Sequence, residues 1–115
     1  MGVNMLSVDG PAETCCSPVM AAPLSEAEAD DLAALLKALA DPVRLQLVSL
    51  IASAPNGEMC TCDLPELVRR SQPTVSHHLS ILVAAGFVDR EQRGKWAWFR
   101  MRPERLATLR AALDR

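Results

Sequence analysis

Gln72-Pro73-Thr74-Val75-Ser76-His77-His78-Leu79-Ser80-Ile81-Leu82, with Leu64-Pro65-Glu66-Leu67-Val68-Arg69-Arg70 before it and Ala84-Ala85-Gly86-Phe87-Val88 after it, decides the fold. The whole reads as two short helices across a tight turn. Ser71 is placed to cap the second helix, with Gln72 and Pro73 in its first turn. Val75, Leu79, Leu82 and Val83 then fall at helical spacing on one face, while Thr74, Ser76, His77 and Ser80 lie off that stripe. Gly86 suits the left-handed backbone wanted at a helix exit. Two helices of this kind, the second polar on its outer face, predict a helix-turn-helix whose second helix lies in the DNA major groove.

Working outward, Phe87-Val88-Asp89-Arg90-Glu91 and Trp96-Ala97-Trp98-Phe99-Arg100 read as two strands around Gln92-Arg93-Gly94-Lys95, a hairpin with a basic tip. Pro103 opens a last helix carrying Leu106, Leu109 and Leu113. Upstream, Ser25 and Glu28 form a capping box ahead of Leu32, Leu35, Leu36 and Leu39. Asp41-Pro42 is an N-cap followed by proline at the first helical position. It opens a helix on which Val43, Leu45, Leu47, Val48 and Ile51 offer burial until Pro55-Asn56-Gly57 turns the chain. Asp63 is the expected cap of the short helix to Arg70. The order α-α-α-α-β-β-α predicts a mostly α fold with a β-hairpin wing, a winged helix-turn-helix spanning 25–115. Residues 1–24 mix Gly, Pro, Ser and small apolar types without a period, and read as a flexible arm carrying Cys15 and Cys16.

With 115 residues, half of them apolar, the chain suits one small domain. A homodimer would extend the surface it can bury. The net charge of −2 hides a division: residues 1–60 hold eight acids against Lys37 and Arg44, whereas residues 61–115 hold ten Arg or Lys against six acids. The footprint for phosphate therefore falls in the C-terminal half. No apolar run reaches the length of a membrane span, and no basic segment precedes an apolar stretch at the N-terminus, so a cytoplasmic protein without a membrane partner is expected. In that compartment the four cysteines are expected as thiols, reactive or metal-binding, rather than structural disulfides.

On the reading helix, Gln72, Thr74, Ser76 and His77 are short groups that donate and accept, as base edges require. The expected DNA-contacting set is Gln72, Thr74, Val75, Ser76, His77 and His78, joined at the wing by Arg90, Arg93 and Lys95 for phosphates or the minor groove. Adjacent histidines cannot share one helical face. One of His77 and His78 is therefore expected to meet DNA or solvent while the other packs. Trp96 and Trp98 share a strand face and are read as hairpin or core packing.

Lys37-Ala38-Leu39-Ala40-Asp41-Pro42-Val43-Arg44-Leu45, Cys60-Thr61-Cys62-Asp63-Leu64, Ser71 to Leu79 and Gly94-Lys95-Trp96 together resemble the ArsR/SmtB family of metal-responsive repressors, over about residues 30–102. The resemblance implies a homodimer that binds double-stranded operator DNA at an inverted repeat and releases it when a toxic metal or metalloid arrives. It also implies a ligand set. In family members with an N-terminal Cys pair, the arm of one subunit brings thiolates to the Cys-x-Cys segment of the other. Cys15, Cys16 and Cys60 become the first candidates for As(III) or Sb(III), which take three thiolates, with Cys62 a bystander or a fourth thiolate that would favour Cd(II) or Pb(II). The inducer is then the metalloid, with no organic cofactor. Zinc sensing fits less well, because residues 103–115 hold no histidine. A thiol redox switch is the main alternative for the same atoms. An enzyme is not expected: Thr14-Cys15-Cys16-Ser17-Pro18 offers no glycine-rich or arginine-bearing anion cradle.

Overall fold

The computed structural model describes residues 22–113. These divide into two compact units, residues 22–36 with 104–113, and Lys37–Pro103. Helix α1 (Glu26–Leu39) opens with the expected capping box. The Glu28 amide donates to Ser25 Oγ at 3.1 Å, and the Ser25 amide donates to Glu28 Oε1 at 2.9 Å. Leu32 and Leu35 of α1 are buried, as are Leu109 and Ala112 of the last helix, α5 (Pro103–Leu113).

The Lys37–Pro103 unit holds everything between. Asp41, extended at φ −155° and ψ 132°, caps α2 (Pro42–Ser53) by accepting from the Val43 and Arg44 amides at 2.9 and 3.1 Å. Val43, Leu47, Val48 and Ile51 turn inward from α2, but Leu45, expected among them, stays exposed. A turn at Pro55–Gly57 follows. Strand β1 (Glu58–Cys60) then precedes α3 (Leu64–Val68). Asp63 was expected to cap α3 and does not: its own backbone is already helical, and its side chain makes no cap bond. Arg69 ends α3 in the left-handed region at φ 57°, the sharp turn that separates it from α4 (Gln72–Ala84).

Ser71 caps α4, accepting from the Thr74 amide at 3.4 Å. Gly86, at φ 85°, lets the Phe87 amide reach back to the Leu82 carbonyl at 3.0 Å, which seats Phe87 in the core. Leu47, Ile51, Leu64, Val75, Leu79, Leu82, Phe87 and Val88 form the fully buried centre. Each such side chain stabilises the fold by about 1.5–3 kcal/mol relative to exposure.

Strands β2 (Val88–Arg93) and β3 (Trp96–Met101) make the wing, paired from Val88↔Met101 to Arg93↔Trp96. The connecting turn is therefore Gly94-Lys95 alone, two residues shorter than the expected tip, and Arg93 belongs to the last strand pair. The wing is also not a free hairpin. β1 pairs antiparallel with β3 (Glu58↔Arg100, Met59↔Phe99, Cys60↔Trp98), giving a three-stranded sheet in the order β1-β3-β2. This strand was absent from the expected order. Among the described residues no helix is long and apolar enough to cross a membrane.

Candidate nucleic-acid interface and thiol pair

Helix α4 divides as its sequence period requires. Gln72, Ser76, His77 and Ser80 are exposed, and Thr74 is half-buried. Val75 is fully buried, which removes it from the expected contact set: a side chain without exposed surface cannot reach a base edge. The two histidines separate as expected. His77 is exposed, whereas His78, 15% exposed at its side chain, turns Nδ1 inward to within 3.0 Å of an Arg44 guanidinium nitrogen. His78 is thereby also withdrawn from the outward row. Small hydroxyls along that row are held in place: Ser71 donates to Thr74 Oγ1 at 3.0 Å, and Ser80 to the His77 carbonyl at 2.7 Å.

A groove of about 540 Å³ separates α4 from the wing, with Gln72, Ser76, Ser80 and Val83 on one wall and Arg90, Gln92, Lys95 and Trp96 on the other. Gln92 braces the turn, donating to the Gly94 carbonyl at 3.0 Å and accepting from Arg90 at 2.8 Å. Lys95 stands exposed at the tip. Arg93 does something else. Its two terminal nitrogens donate to Glu58 at 2.7 and 3.2 Å, one of them also to Glu91 at 2.7 Å, and its guanidinium lies 4.6 Å above the Trp98 ring. Arg93 is thus engaged within the sheet by Glu58, Glu91 and Trp98, while among the described residues Lys95 carries no such partner and the Arg90 side chain bonds only to Gln92. Hydrogen bonds from Arg93 and then Arg100 hold the Glu58 carboxyl below the usual carboxylate range against its partial burial. Those with Glu58 and Glu91 in turn push Arg93 further up. Trp98 serves hairpin packing, as expected, while Trp96 is 48% exposed.

Asp41 and Arg44 form the second charged cluster. Amides of Arg44 and Val43 hold the Asp41 carboxyl below its ordinary range, with the Arg44 charge adding to the effect. Arg44 also donates from Nε to the Ala38 carbonyl at 2.6 Å and from a terminal nitrogen to that of Lys37 at 3.3 Å. Neither Arg44 nor Glu58 was singled out as functional from sequence. Arg44 at least stood inside the Lys37–Leu45 motif, whereas Glu58 carries no local signal.

The thiols lie where β1 gives way to α3. Cys60 is buried and Cys62 exposed, and their sulfurs are joined in a disulfide across a Cα separation of 5.2 Å. This differs from the expected free thiols. The turn after β1 brings the two Cα atoms within the range a disulfide spans. The Cys62 amide donates to Cys60 Sγ at 3.2 Å, and the Thr61 amide between them donates to the Ala97 carbonyl of β3 at 2.8 Å. Cys15 and Cys16 lie outside the described residues. Among the described residues no group of three or more His, Cys, Asp or Glu is gathered to hold a metal ion. Only after reduction could Cys60 and Cys62 act as two neighbouring thiolate donors, and a third thiolate would have to come from elsewhere.

A short helix, a left-handed turn, a polar-faced helix and a basic-tipped hairpin in this order define a winged helix-turn-helix regulator. Residues 41–90 match the profile described as "Bacterial regulatory protein, arsR family". The "Arsenical resistance operon repressor" of Staphylococcus xylosus is 37% identical over 84 residues, 73% of this chain and 78% of that protein. An HTH-type transcriptional regulator of Methanocaldococcus jannaschii, MJ1325, is 37% identical over 71% of this chain and 90% of its own. A "homodimeric winged helix-turn-helix DNA-binding domain" from Mycobacterium bovis superposes with a TM-score of 0.62 at 28% identity, over 76% of this chain and 82% of that one. The chain belongs to the ArsR family of bacterial regulatory proteins.

Proposed function

We propose that this protein is a homodimeric transcriptional repressor that binds an inverted-repeat operator through α4 and the wing, and releases it when As(III) or Sb(III) engages its cysteines. The observation that carries this reading is the convergence of the Cys60 and Cys62 sulfurs at the end of a strand bonded to the wing, directly ahead of α3. Reduced, that pair would supply two soft thiolates, and the arm's Cys15 and Cys16 the remainder. Each As–S bond forms as a hydroxyl of arsenous acid leaves with the thiol proton as water. Relatives named for arsenical resistance support the inducer, and the homodimer described for the Mycobacterium bovis domain supports the assembly. Release requires the inducer to bind the DNA-free conformation more tightly than the DNA-bound one.

The disulfide favours a second reading, a redox-sensing repressor of the same fold. There, two thiols would yield two protons and two electrons to peroxide, which leaves as two waters. A titration of operator release with As(III), Sb(III), Cd(II) and peroxide in parallel distinguishes these. Release at the lowest concentration by As(III) or Sb(III), lost when residues 1–18 are deleted or Cys60 becomes Ser, supports the metalloid reading. Release by peroxide with indifference to As(III) replaces it with the redox switch, and Cd(II) as the strongest ligand would move the assignment to a four-thiolate site.

A further inference from the structure

We infer that β1 is the element that carries the state of the Cys60/Cys62 pair to the wing, with Glu58 as the positioning residue that makes the connection. The inference rests on the cysteines being the sensing site, and adds how their state reaches the DNA-contacting surface.

Three contacts compose the connection, all within the Lys37–Pro103 unit. The Thr61 amide, flanked by the two cysteines, is bonded to β3 at the Ala97 carbonyl. Cys60 stands directly opposite Trp98 in the register of β1 and β3. Two residues before Cys60, Glu58 receives both terminal nitrogens of Arg93, the residue that closes β2 against the Gly94-Lys95 turn. Arg93 also covers Trp98. The path from sulfur to wing tip is therefore one strand of three residues plus one forked ion pair. Glu58 is 14% exposed at its side chain and accepts from Arg100 as well, so the pair is shielded and geometrically defined rather than a loose surface contact. A change in the Cys60–Cys62 pair that shifts the backbone between them either breaks the Thr61 bond or draws β3 with it. In the second case the wing follows, because β2 is tied to β1 by Arg93.

Trp98 reports the movement directly. In a full-length Trp96→Phe background, which leaves Trp98 as the sole indole, arsenite added without DNA should shift Trp98 emission, while ultraviolet absorbance of the sulfur–arsenic bonds measures arsenite binding independently. Glu58→Gln should bind arsenite with unchanged affinity, lose the emission shift, and show an arsenite-induced drop in operator affinity at least about fivefold smaller, the lower end of ordinary allosteric couplings. Glu58→Asp should restore part of both, which a merely destabilised fold would not do. Arg93→Lys removes the fork from the other side and serves if Glu58→Gln fails to fold. Undiminished release by a folded Glu58→Gln protein would overturn the inference and assign the coupling to α3. Wild-type protein that neither binds arsenite nor releases DNA would sink the metalloid reading alone. The same variants are then compared between dithiothreitol-reduced and peroxide-oxidised forms. An emission difference in the wild-type chain that Glu58→Gln lacks supports the strand route, and no difference in the wild-type chain overturns it.

Discussion

Nδ1 of His78 accepts a hydrogen bond from the Arg44 guanidinium at 3.0 Å, a direction the chemistry dictates because arginine has no lone pair to offer. Helix α4 is thereby pinned to α2 by a group that also ties down the carbonyls of Ala38 and Lys37. Arg44→Ala should leave three acceptors without this donor and cost about 1–3 kcal/mol by urea unfolding. Arg44→Lys should recover little of it, since a point charge cannot span the fork. Full recovery by lysine would show that charge, rather than geometry, matters here.

Asp41 lies below its ordinary carboxylate range in the folded chain. A carboxyl depressed on folding contributes stability that is present above its unfolded value and lost as the pH falls through the folded one. Acid unfolding should therefore draw on Asp41 below about pH 4. Asn caps helices as well as Asp does. Asp41→Asn should thus keep most of the neutral-pH stability while flattening this part of the acid profile, and an unchanged profile would remove Asp41 from the account.

Ser76 and His77 stand on the outward row of α4. Replacing either with Ala should cost roughly 1–3 kcal/mol of operator binding and relax the preference at one base pair per half-site. Site selection with both variants checks this, and identical preferences would exclude α4 as the reading surface.

At the wing, Lys95 and Arg93 should behave differently. Lys95→Ala should weaken binding to all sequences alike and lower the salt dependence by about one counterion. Arg93→Ala should leave the salt dependence nearly intact and lower the thermal midpoint, because its guanidinium is engaged by Glu58, Glu91 and Trp98. A full counterion lost with Arg93 would mean that DNA competes successfully for it.

Local chemistry was legible in the sequence where a signal and its partner lie within one turn. Ser25 with Glu28, Asp41 with the Val43 and Arg44 amides, Ser71 with Thr74, and Gly86 at a helix exit all stand as the residues imply. Asp63 failed as a cap because its own backbone had already turned helical. Long-range pairing was not legible. Glu-Met-Cys is too short to show alternation, and its partner strand lies some forty residues on, so β1 left no trace in any local window. The pairing of Arg93 with Glu58 was hidden for the same reason, because a basic residue beside a turn reads as exposed until the strand carrying Glu58 is known. Val75 is a different case: the helical period already placed it on the apolar stripe, and its burial only enforces what the spacing says.

The division of α4 between buried Val75, Leu79 and Leu82 and an outward polar row has a consequence for how such a protein can change its vocabulary. Rotating the helix to present new side chains would bring apolar residues into water, so recognition is free to drift at only a handful of addresses. Gln72, Thr74, Ser76, His77 and Ser80, the outward row of α4, are the addresses the proposed reading would leave open. A randomised library confined to them should yield new operator preferences at nearly parental stability, whereas one that includes Val75 should be depleted of folded members before any selection for DNA is applied.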